Sequence, residues 1–164
     1  MKASKVLLMG IALLVAVPLS AWSQTKGHIQ LQSVVEVEQQ IMNAEGKMEI
    51  KKVPAEKVIP GTEVIFTQRY KNISKETAES AVITNPVPEH MIYRDGSAQG
   101  EGARVTFSVD NGQSYNIPAK LFVYDAAGRK FPARAKDYTH IRWTFTRSLP
   151  SGDTGEVSFR AILE

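Results

Sequence analysis

Proline and glycine cut this sequence into short pieces, at Pro54, Pro60-Gly61, Pro86, Pro88, Gly100, Gly102, Gly112, Pro118, Gly128, Pro132 and Pro150 to Gly152. Proline fixes φ and lacks an N–H, and glycine frees the backbone, so both end regular elements. Helices of ordinary length barely fit between these breaks. Short strands do, and the apolar residues between the breaks alternate with a period of two, the pattern of a strand with one buried and one wet face. In Thr139 to Thr146, Ile141, Trp143 and Phe145 face one way while His140, Arg142, Thr144 and Thr146 face the other. Val157, Phe159, Ala161 and Leu163 repeat the pattern against Glu156, Ser158 and Arg160. Val64, Phe66 and Tyr70 oppose Glu63, Thr67 and Arg69, and Val105, Phe107 and Val109 oppose Arg104, Thr106 and Ser108.

The expected strands are 29–41, 47–53, 62–71, 79–85, 103–109, 119–124, 139–146 and 154–163. Eight short strands with polar outer faces imply an all-β fold of two packed antiparallel sheets, their apolar residues filling the layer between, with Trp143 the largest contributor. Leu31, Val35, Val37 and Ile41 make the first strand long, and Asn43-Ala44-Glu45-Gly46 returns the chain antiparallel. Eight alternating strands are also enough for a small outer-membrane barrel. The chain ends Ile162-Leu163-Glu164, without the terminal aromatic that would favour that alternative.

Ahead of the strands, Lys2 and Lys5 precede an apolar run from Val6 to Val17, then Pro18 and the small-residue site Ala21-Trp22-Ser23. This is the layout of a secretory signal, with cleavage expected between Ser23 and Gln24. The run is too short for the roughly 20 residues of a spanning helix. The reading is therefore a signal peptide at 1–23 and one domain at 24–164, periplasmic or extracellular, with no stable membrane insertion after cleavage. The chain has no cysteine, so packing and strand pairing must hold the fold where oxidation would permit bridges, and no lipid-bearing cysteine exists at the cleavage site. Taking the two leader lysines from 20 basic residues leaves 18 against 17 acidic ones, so a formal net charge of +3 becomes +1. Overall charge thus gives no reason to expect nucleic acid as a partner.

Two parts of the chain resemble a known family. Pro60, Gly61, Glu63, Val64, Phe66, Tyr70 and Asn72 match an opening turn and alternating strand that ends in Asn. Val82, Ile83, Asn85, Val87 and Pro88, then Tyr93 and Gly96-Ser97, match a strand closed by a proline turn. Trp143, Leu149, Pro150, Gly152, Asp153 and Val157 to Phe159 match the ending. Residues 58–97 and 139–163 thereby resemble the bacterial conserved-repeat domain, the domain of unknown function numbered eleven, here in a single copy. The resemblance implies an immunoglobulin-like antiparallel β-sandwich of about seven to nine strands, following an N-terminal signal helix and working outside the cytoplasm. Asn85 stands where that family usually has an acidic residue, which removes one carboxylate from any metal-site reading.

Ser108-Val109-Asp110-Asn111-Gly112-Gln113-Ser114-Tyr115 resembles the Asp-box hairpin of secreted glycan-active proteins. Its aspartate is expected to accept turn amides and its glycine to take a positive φ, which is a structural role wherever the motif occurs. Nucleophilic catalysis has no support: there is no cysteine and no Gly-x-Ser-x-Gly elbow, and His28, His90 and His140 are scattered. The histidine spacing fits no zinc site, and His140 reads as a solvated strand residue facing away from Trp143. Asp110, Asp125, Asp137 and Asp153 sit in turn contexts, so turn formation explains them more simply than calcium does. No catalytic, metal or cofactor-binding residue is therefore expected.

Arg129, Lys130, Arg134, Lys136 and Arg142 form the one basic concentration, suited to phosphate or uronate groups, although Asp125 and Asp137 suggest a solvated mixed-charge face. Tyr115, Phe122, Tyr124, Phe131 and Tyr138 gather in the same stretch, outside the family resemblance. Exposed, they would make a carbohydrate or protein contact patch; buried, they would be core. The sequence thus points to an exported, non-enzymatic binding or assembly module of the bacterial cell envelope. Its partner would be an envelope protein or polymer, with a carbohydrate-binding or glycan-active protein as the alternative.

Overall fold

The computed structural model describes residues 29–164. The leader, its cleavage point and His28 lie outside the described residues. The chain is all-β, two antiparallel sheets facing each other across a shared core. The larger sheet has the order β2 (Met48–Pro54), β1 (Ile29–Met42), β3 (Glu63–Asn72), β11 (Thr154–Leu163) and β5 (Met91–Tyr93), with β6 (Gln99–Gly100) also paired to β11. The smaller is β4 (Val82–Pro86), β10 (His140–Phe145) and β7 (Ala103–Ser108). A separate two-stranded hairpin joins β8 (Phe122–Tyr124) to β9 (Lys130–Pro132). Neither large sheet closes on itself, so the fold is a sandwich and the barrel alternative is overturned. Among the described residues no helix is long and apolar enough to cross a membrane.

The period-two pattern places the core where the sequence put it. Ile141, Trp143 and Phe145 of β10 meet Val157, Phe159 and Ala161 of β11, and all six are buried. Phe66 stacks on Phe159 at 4.9 Å, and Tyr70 meets Phe145 edge-on at 5.0 Å. A small backbone lets the Trp143 indole fit: a Cβ on Gly100 would lie 2.8 Å from its Cδ1 and 2.9 Å from Val157.

Asn72 ends β3 by tying three segments together. Its fully buried amide donates to the carbonyls of Glu76 and Leu149, each at 2.8 Å, while its oxygen accepts from the Ser74 N–H and hydroxyl. The Pro60-Gly61 turn, with Gly61 at φ 88°, docks on the last strand through its N–H to the Leu163 carbonyl at 2.7 Å.

Three expectations need correction. The eight expected strands become eleven, because β5, β6 and β9 are only two or three residues long. Strand 119–124 shortens to β8, since Pro118–Lys120 is a 3-10 turn. The inner face of β1 is not core throughout: Leu31 and Val35 lie opposite Tyr70 and Phe66 yet remain 50% and 40% exposed. The reason is the width of the second sheet. Gln68 of β3 donates to Asn85 of edge strand β4 at 3.0 Å, so β4 sits over β3 and leaves β1 uncovered.

Conversely, Ile65 and Thr67 are buried on the face that alternation makes wet. Arg160 lies directly opposite Ile65, and from β11 it reaches across β3 to Glu38 on β1 and to Glu63, both at 2.7 Å. As its cross-strand partner on the same face, Arg160 is placed to shield Ile65 with its stem, as long cationic side chains commonly cover apolar surface.

Candidate functional site

Between β7 and β10 the chain makes an excursion, residues 109–138, along one side of the sandwich. Two buried side chains hold it there. Tyr138 stacks on Phe107 of β7 at 4.6 Å and tilts against Tyr93 of β5 at 5.9 Å, so it plugs the gap between the two sheets. Leu121 joins the same core, and its carbonyl accepts the Ala133 N–H at 2.9 Å, which closes the base of the β8–β9 hairpin. Of the aromatic group read from the sequence, Tyr138 is therefore core.

The remaining aromatics are presented outward. Tyr124 is 66% exposed, Phe131 44% and Phe122 37%, while Tyr115 is half-buried. Pairing of Val123 with Phe131 and of Tyr124 with Lys130 puts Phe131 on one face of the hairpin and Tyr124 on the other. Each face borders a cleft. One, of about 550 Å³, is lined by Val123, Tyr124, Phe131, Arg134 and Lys136 among others; the second, of about 590 Å³, includes Tyr115, Lys120, Phe122, Tyr124 and Lys130. Val123 and Tyr124 are common to both.

Both turns in this region are built around an aspartate. Asp125 accepts the N–H groups of Ala127 and Arg129 on Oδ1, each at 2.9 Å, and the Arg129 Nε on Oδ2 at 2.7 Å. Gly128 takes φ 75°, a conformation that suits glycine. The hydrogen bonds that Arg129 donates, backbone and side chain, hold the Asp125 carboxyl below its usual range.

Asp110 takes the Asp-box role. It accepts from the Ser108 hydroxyl at 2.6 Å, the Ser114 hydroxyl at 2.5 Å and the Ser114 N–H at 2.9 Å, and Gly112 adopts φ 82°. The Ser108 and Ser114 hydroxyls hold its carboxyl well below the ordinary aspartate value. The hairpin is closed by a single bridge between Phe107 and Asn116.

The region is a mixed-charge face on which cations outnumber acids, six Lys and Arg against three Asp in residues 109–142. Asp137 is also occupied, accepting the Arg134 N–H at 2.8 Å. Thus the acidic groups of the region serve its turns, while Lys120, Lys130, Arg134 and Lys136 form no ion pair among the described residues. The Lys130 ammonium stands 3.8 Å over the Phe122 ring, the Arg142 guanidinium 3.4 Å over Tyr115, and Arg129 5.8 Å from Phe131. These are cation–π arrangements, which orient the cations without neutralising them.

His140 is half-buried on the face of β10 opposite Trp143: its ring packs near Gly112, and its Nδ1 is 3.2 Å from the Thr139 hydroxyl. His90 lies in a turn at φ 62°, and Asp153 pairs with Arg147 at 2.8 Å. Among the described residues no group of three His, Cys, Asp or Glu side chains is placed to hold a metal ion. What the sequence reading missed was β9, and with it the hairpin that displays the aromatics. The signal was present, for Asp125-Ala-Ala-Gly128-Arg129 repeats the layout of Asn43-Ala-Glu-Gly46-Lys47, whose Asn43 Oδ1 accepts the same two amide positions. Comparison of the chain with protein-family models, with curated proteins and with solved structures finds no match.

Proposed function

We propose that this protein is an exported, non-enzymatic β-sandwich that serves as a binding module of the bacterial cell envelope, and that the β8–β9 hairpin is its contact surface. The observation that carries the reading is the exposure of Tyr124, Phe131 and Phe122 on a hairpin whose base, Leu121 and Ala133, is fixed to the core. Aromatic rings on a rigid support are effective anchors, because they offer large contact area and lose little conformational freedom on binding. The leader pattern of residues 1–23 and the resemblance of 58–97 and 139–163 to a domain that works outside the cytoplasm support the compartment.

A carbohydrate-binding role is the second reading, favoured by the position of the Asp-box beside the second cleft, where Asp110, Ser114 and Tyr115 lie with Phe122 and Tyr124. Asp110 is a poor candidate for proton transfer, since both its oxygens are engaged by turn groups. The test is a photo-crosslinking residue placed at Tyr124 in living cells, with Lys75 in the β3–β4 loop as the control position. A discrete adduct from position 124 and none from position 75 is the expected outcome. Equal labelling from both, or none from either, contradicts the reading.

A further inference from the structure

Resting on that reading, we infer that the ligand of the β8–β9 surface is an anionic glycan, a chain of pyranose sugars bearing carboxylates, with Tyr124 and Phe131 against sugar rings and Arg134, Lys136 and Lys130 against the acidic groups. Three features converge on this chemistry. The first is charge. Asp110, Asp125 and Asp137 keep their charge while they serve turn hydrogen bonds, but residues 109–142 hold six Lys and Arg against these three Asp, an excess of positive charge that complements an anionic ligand. Arg134 offers the planar fork that pairs with a carboxylate, and Lys136, two residues on, a flexible point charge.

The second feature is shape. The two clefts, about 550 and 590 Å³, fall within the roughly 300–1,000 Å³ of small-ligand sites, and they lie on either side of strand β8, with Val123 and Tyr124 lining both. A cleft on each side of one strand suits consecutive units of a chain better than a single enclosed molecule. The third is the nature of the walls. A pyranose ring presents a face of C–H groups that is weakly positive and apolar, and the electron-rich face of a tyrosine or phenylalanine ring complements it. Alternation of flat aromatics with cations is therefore matched by a polymer that alternates sugar faces with carboxylates. A purely acidic peptide such as polyglutamate would satisfy the cations but brings no flat apolar face to the exposed rings.

The experiment is calorimetric titration of the purified protein with oligogalacturonate. The same oligomer with its carboxylates methyl-esterified tests the charge, and polyglutamate serves as an acidic peptide probe. Saturable binding to oligogalacturonate is expected, weakening with added salt, with at least about tenfold loss on esterification. A similar loss is expected for Tyr124→Ala, for Phe131→Ala and for the double variant Arg134→Gln/Lys136→Gln, each with an unchanged melting temperature, because these side chains lie outside the core. Undiminished binding by the aromatic variants, tighter binding of polyglutamate than of oligogalacturonate, or no saturable binding at all overturns the glycan assignment. If oligogalacturonate fails while position 124 still crosslinks in cells, only the ligand class is discarded. If both fail, the binding surface itself is discarded.

Discussion

Single side chains in this molecule settle questions that alternation leaves open. Asn72 is fully buried, so Asn72→Ala removes one of the two donors to each of the Leu149 and Glu76 carbonyls, which keep the Ala78 N–H and the Ser74 hydroxyl, and takes the acceptor from the Ser74 amide. A loss of about 2–3 kcal/mol in chemical denaturation is expected. Gly100 acts through packing alone. The methyl of Gly100→Ala would meet the Trp143 and Val157 side chains, both buried, and about 1–3 kcal/mol of destabilisation should appear as a lower midpoint with an unchanged slope. Asp110 supplies a pH dependence. Its folded carboxyl is held below the unfolded value of about 3.9, so its contribution is fully present above that pH and is lost as the pH falls toward the folded value. Acid titration followed by NMR should show the Ser114 amide resonance move only in strong acid, and Asp110→Asn should remove that late step. Ile65, by contrast, was not legible as buried. The side chain placed to shield it is Arg160, a neighbour in space whose reach to Glu38 no local pattern announces.

At the level of elements, the long alternating strands were readable and the short ones were not. β3, β10 and β11 have enough residues to show a period of two, and their boundaries fall within a residue or two of expectation. β5, β6 and β9 have two or three residues, too few for any period, and β9 ends in Pro132, a residue that argues against a strand. Such strands exist because their neighbours supply the pairing: β5 and β6 both dock on β11, with the Ser97 hydroxyl donating to the Arg160 carbonyl and accepting its N–H between them. The β8–β9 hairpin belongs to this class, and its turn rests on Asp125. Asp125→Ala should speed amide exchange at Ala127 and Arg129, which lose their acceptor, and leave exchange in β3 and β11 unaltered. Equal acceleration in β3 would show that the hairpin and the sandwich open as one unit.

For the whole molecule, the two sides of the sandwich have different fates. On the β5–β7 side the excursion of residues 109–138 closes the gap with Tyr138 and turns its remaining aromatics outward. The sequence showed both the aromatics and the cations of that stretch. It showed the aspartates as turn formers, but it could not sort Tyr138 from Tyr124, because that depends on which rings the neighbouring strands β5 and β7 cover. The proposed contact surface is this hairpin and not the faces of the large sheets. Chemical-shift mapping of the purified, isotope-labelled protein during titration with acidic envelope polysaccharide tests it most directly. Shifts concentrated in residues 115–137, led by Tyr124, Phe131 and Arg134, with β1 and β2 silent, are expected. Shifts concentrated on β1, β2 or the open edge of β4, with the hairpin unmoved, would contradict it.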